Sequence, residues 1–118
     1  NGFLRWLEVA TLEPVELCNV WGNYNVAWEL IADLTRDGNA IVAAPSSHLD
    51  QNQKRDIQIF LDKLTEIPTA LLVSATSHSA NVEAMSHVCW NPIRISASSL
   101  LISLAPAAES NRRYFETE

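Results

Sequence analysis

Three histidines, two cysteines and a scatter of hydroxyls are the side chains in this 118-residue chain with the means for metal or nucleophilic chemistry. His78, His87 and Cys89 lie close in sequence, with Cys18 or His48 as a fourth ligand. Their spacing matches no standard zinc pattern, so they read as ordinary core and loop residues. Cys89 and His87 are two positions apart and would share one face of a strand as nucleophile and base. No third orienting group or oxyanion donor accompanies them. A last set gathers hydroxyls: Ser46, Ser47 and His48 follow one apolar run, and Ser74, Thr76, Ser77 and His78 follow another. At the C-terminal ends of strands, where α/β folds take ligands, the loops at 45–48 and 74–78 would line a polar pocket. The plainer reading is of polar loops, and no Gly-rich phosphate loop is present. The chemistry-bearing residues therefore name no catalytic site, and no cofactor or metal is implied.

The elements that would position these residues follow from hydrophobic periodicity. Residues 2–12 put Phe3, Leu4, Leu7, Ala10 and Thr11 on one helical face. Asn1 is placed to cap that helix, and Glu13-Pro14 to end it. Val15–Val20 reads as a short strand. After the Gly22-Asn23 turn, Asn25 caps a helix that buries Ala27, Leu30, Ile31 and Leu34. Asp37-Gly38 is expected to stop it, with glycine in the left-handed position. Ala40–Ala44 is a continuous apolar run ended by Pro45, of a length that suits a strand buried on both faces. Asp50 with Gln53 opens the next helix in the manner of a capping box. That helix buries Ile57, Phe60, Leu61 and Leu64 and breaks at Ile67-Pro68. Ala70–Ala75 reads as another buried strand, Val82, Met85 and Ser86 as a short helix, and His87–Trp90 as a short strand. Ser96 caps a last helix carrying Leu100, Leu101 and Leu104. The tail turns polar from Ala105, with the helix able to continue past Pro106.

Helices alternating with strands at these spacings predict right-handed crossovers and a parallel sheet. An all-helical reading stays open, because short apolar runs are ambiguous. Length suits a single domain over 1–118. Apolar residues make up 47%, enough for a normal core. The formal net charge of −6 and a pI near 4.9 argue against nucleic acid and for a soluble surface or a basic protein partner. Both cysteines sit in apolar settings and are expected as buried thiols, which points to a reducing, cytoplasmic compartment. No apolar run approaches the ~20 residues of a membrane span, and no signal-peptide pattern is seen. The chain begins at Asn1, as a piece excised from a longer protein would. Four tryptophans are many for this length. Trp21 and Trp28 are the two placed for partial exposure, though core packing is the commoner fate of each.

Three phrases in order carry a resemblance: Ala40–Pro45 before a loop and helix, Ile67–Ala75, and Asn91-Pro92-Ile93 leading into a Ser/Leu helix. Together they resemble the receiver domain of two-component signalling. The resemblance implies a three-layer α/β/α sandwich, flavodoxin-like, with a parallel sheet of four strands that lacks the usual first strand. It places Ala44 where the phosphoacceptor Asp belongs, and a methyl group forms no acyl phosphate. Ser74 matches the Ser/Thr that would touch the phosphoryl group, and Pro92 is in place. Asn91 stands where Lys is expected, and Val88 replaces an aromatic switch. The acidic pair for Mg²⁺ would belong to the missing strand. The chain thus resembles a degenerate receiver, or pseudo-receiver, of hybrid sensor histidine kinases, unphosphorylated and non-catalytic. The partners this implies are the kinase core, a true receiver, a phosphotransfer domain or a second copy. It would be cytoplasmic, as part of an inner-membrane-anchored protein or outside one. A stand-alone interaction protein, such as a toxin-neutralising partner, fits the acidic balance and size as well.

Overall fold

The computed structural model describes residues 2–21, 25–44, 49–72 and 77–110, and of residues 20, 21 and 107–110 the backbone alone. Every regular element among them is helical: α1 (Phe3–Ala10), α2 (Pro14–Trp21), α3 (Val26–Ala43), α4 (Gln51–Leu64), α5 (His78–Met85) and α6 (Asn91–Ser110), with 3₁₀ turns at Thr69–Leu71 and Val88–Trp90. The expected α/β/α sandwich is therefore corrected to an all-helical fold, and no strand occurs among the described residues.

Four helices form a closed ring in which α1 packs on α3, α3 on α4, α4 on α6, and α6 back on α1. Inside it lie Phe3 and Leu7 of α1, Leu34 and Ile41 of α3, Ile57, Phe60 and Leu64 of α4, and Ile93, Ala97 and Leu104 of α6. Each large side chain buried this way contributes about 1.5–3 kcal/mol. α2 packs on α5, and α5 also packs on α3.

Gly38 explains the largest error of the sequence reading. It does not end α3; it sits inside the helix and is buried. A Cβ there would stand 2.9 Å from Leu61 Cδ2 and 3.0 Å from Phe3 Cε1. The glycine serves the close approach of three helices, not a left-handed turn. Leu34, Gly38 and Ile41 are the buried positions along this stretch, a helical spacing. The Ala40–Ala44 run thus continues the helix, as its alanines favour, and is not a doubly buried strand. Ala44 closes α3 as its C-cap, in extended backbone. The other strands fail for related reasons. Pro14 begins α2 and does not end structure, as proline does at a first helical position. Of the run at 70–75, the first residues form a 3₁₀ turn, and 73–76 lie outside the described residues. His87–Trp90 is also a 3₁₀ turn, and it leads straight into α6. Ser96 lies inside α6 and does not cap it. Asn1 falls outside the described residues; the N-cap of α1 is Gly2, without a side-chain cap.

The caps that hold are chemically complete. Asn25 Oδ1 accepts from Trp28 N at 3.2 Å, while its Nδ2 donates to the Leu72 carbonyl. The fully buried Asn81 of α5 takes Val26 N on its Oδ1 at 3.0 Å. Two asparagines thus satisfy two orphan amides at the start of α3. Asp50 accepts from Gln53 N at 2.7 Å and donates its own N–H to Gln53 Oε1 at 2.9 Å, a full capping box. No described helix is long and apolar enough to cross a membrane.

Candidate interaction surface

Among the described residues, those singled out for chemistry do not converge. His87 Nδ1 accepts the N–H of Cys89 at 3.1 Å, so the imidazole braces its own turn. Burial pushes the Cys89 thiol up, away from the reactive thiolate. Burial raises the Cys18 thiol as well. Both cysteines are free; Cys18 is buried as expected, and Cys89 only half-buried. Among the described residues no group of three His, Cys, Asp or Glu is placed to hold a metal ion. Ser77 caps α5 by accepting from Ala80 N, and His78 is the exposed first residue of that helix. Ser46, Ser47, His48, Ser74 and Thr76 lie outside the described residues.

The receiver-derived positions scatter too. Ala44 ends α3, while Asn91 and Pro92 open α6. Asn91 Oδ1 accepts from Arg94 Nη1 at 3.1 Å, and Arg94 Nη2 donates to the Met85 carbonyl at 2.6 Å. Asn91 therefore helps to lock the end of α5 onto the start of α6.

One surface does gather. Between α4 and α6 runs a groove of about 340 Å³, lined by Asp56, Ile59, Lys63, Ile95, Ser99 and Ser103, among others. Gln53 Nε2 donates to the Ser103 carbonyl at 3.2 Å and Lys63 Nζ to Ser96 Oγ at 2.9 Å. These two bonds run the helices antiparallel and set the stretch around Ile59 beside the stretch around Ser99.

The helical period explains why the groove opens outward. On α6 the core takes Ile93, Ala97, Leu100 and Leu104. Ile95 and Ile102, two turns apart, fall on the opposite stripe and are 69% and 78% exposed. On α4 the core takes Ile57, Phe60, Leu61 and Leu64, which leaves Asp56, Ile59 and Lys63 along one flank. Ile59 is 47% exposed. Ile59 and Ile95 line the groove and Ile102 stands two turns beyond Ile95 on α6, and three exposed isoleucines on two packed helices exceed the single scattered apolar residues of an ordinary surface.

Sequence reasoning passed over Asp56, Ile59, Lys63, Ile95, Ser99, Ile102 and Ser103. The signal was a second apolar stripe on α6, seven residues in period and opposite the core stripe, which a search for one core face does not register. Trp28 is half-exposed, against the commoner expectation of core packing; the side chain of Trp21 is outside the description. No protein-family model, no curated protein and no solved structure matches the chain.

Proposed function

We propose that the protein is a non-catalytic interaction module and that the α4–α6 face is its working surface. The observation that carries this reading is the exposure of Ile59 and Ile95 in the groove lining and of Ile102 two turns beyond Ile95 on α6. Water-facing apolar side chains gathered in one place are characteristic of docking surfaces. The reading keeps the interaction role that the receiver resemblance implied. It does not keep the placement in a histidine kinase, because the positions that carried it are helix ends and caps, not strand ends.

A photo-crosslinking side chain at position 99, with a control at Glu8 on the exposed side of α1, tests the reading in the source cells. The expected result is an adduct of one defined mass from position 99 alone, lost when Ile102→Asp is added. No adduct, or the same adducts from position 8, overturns it.

A further inference from the structure

Resting on that reading, we infer that the occupant of the α4–α6 face is a second copy of the same chain, joined about a two-fold axis. The face is self-complementary about such an axis. A two-fold interface sets each surface patch against itself, so whatever lies on one side of the axis must fit what lies on the other. An axis in the plane of this face and perpendicular to both helices lays α4 antiparallel on α4 and α6 antiparallel on α6 of the second copy.

The side chains suit that operation on both helices at once. On α4, Asp56 and Lys63 are two turns apart and flank Ile59. An axis near Ile59 brings Asp56 opposite Lys63 of the second copy, and Lys63 opposite its Asp56. Asp56 has no hydrogen bond or ion pair to any described residue. Lys63 gives one N–H to Ser96 and has two more to offer. On α6, Ile95 and Ile102 are also two turns apart and flank Ser98 and Ser99. The same axis brings Ile95 opposite Ile102 of the second copy. At the crossing point stands Ser99, small enough for the two backbones to approach.

The two centres need not have coincided. The Gln53–Ser103 and Lys63–Ser96 bonds show that they do, by setting the middle of α4 beside Ser98 and Ser99 of α6. One axis therefore serves the charge pairs on α4 and the isoleucine pairs on α6.

Net charge opposes self-association, and distance decides how much. The chain carries −6, yet the groove lining holds one acid and one base. The other charges of the described residues are not in that lining, and salt screens those more than about 8 Å away. Area sets the strength. α4 is about 21 Å long and the pair of helices about 20 Å wide, at 1.5 Å per residue and ~10 Å per helix. That footprint falls at the low end of specific interfaces, so the dimer is expected in the micromolar range.

Sedimentation equilibrium of the full chain, from low to high micromolar, tests the inference. The expected mass rises from one chain to two, and Ile102→Asp abolishes the rise. Asp56→Lys and Lys63→Asp each weaken association about tenfold, because two attractive pairs become repulsive. The double variant recovers it, and so does an equimolar mixture of the two single variants, as the two-fold axis requires. A monomer at every concentration overturns the inference, as does a dimer indifferent to these substitutions. The charge variants decide the matter if Ile102→Asp disturbs folding, which circular dichroism checks. If the chain is monomeric but the crosslinker at position 99 gives an adduct of another mass, the second copy is wrong and the interaction reading stands. No adduct at all sinks both.

Discussion

At Asp37 a carboxylate does work that a list of charged residues would miss. Its Oδ2 accepts the Trp6 indole N–H at 2.9 Å and the Gly2 N–H at 3.2 Å, and Oδ1 takes Arg36 Nε at 3.0 Å. Burial alone would raise this carboxyl, but the bonds from Arg36, Trp6 and Gly2 outweigh it and hold the group below the ordinary carboxylate range. A lowered folded value means that the stabilisation is complete above the unfolded value near 3.9 and fades as pH falls through the folded one. Asp37→Asn should therefore cost roughly 1 kcal/mol at neutral pH, and the gap to the parent should close in acid. Thermal melts of both proteins across the acid range check this; a gap that persists unchanged in strong acid would contradict it. The sequence offered no sign of the role, because Asp37 beside Gly38 read as a helix stop. Asn25 and the Asp50–Gln53 box were legible, because a cap is a local device whose partners lie three residues away. Asn81 was not, because its bond to Val26 spans the fold.

Among the elements, α3 shows where periodicity misleads. An apolar run after Asp-Gly looks like a new strand, and only the partners across the core reveal that the glycine is there for Phe3 and Leu61. Gly38→Ala tests this. As a helix-interior substitution it should gain about 0.5–1 kcal/mol. Crowding against two core side chains should cost about 1–3 kcal/mol and win. Denaturant titration should show a net loss of about 1 kcal/mol, whereas a stabilised variant would mean that α1 and α4 do not press on α3 here. The amphipathic faces of α4 and α6 were legible down to Ile57, Phe60, Leu61, Leu64, Leu100 and Leu104. The groove between them was not, since it depends on which flanks the ring turns outward.

For the whole molecule, the ring closes by packing the first helix on the last. Phe3 is the keystone of that closure: it is fully buried, meets Phe60 edge-on at 6.5 Å and lies against Gly38. Phe3→Ala should cost about 3–5 kcal/mol, a large part of the ~5–15 kcal/mol that a domain of this size holds. The loss should be global, with helix content and Trp90 burial falling in one transition; separate transitions would show that α1 is an appendage and not a member of the ring. The fold class itself was the least legible feature. The short, largely apolar segments at Val15–Val20, Ala40–Ala44 and Ala70–Ala75 fit either periodicity, and the proline and glycine beside them are equally at home starting a helix or packing inside one.

One detail of α6 has a consequence for how that helix comes apart. Its last buried residue among those whose side chains are described is Leu104, and two positions later Pro106 brings no N–H, so the Ile102 carbonyl has no amide four residues on to accept from. Fraying that begins at Ser110 meets a rung that is already missing. That rung offers no resistance, so the barrier to further unwinding is the burial of Leu104 in the ring, and the end of the helix is expected to unwind and reform while the ring stays shut.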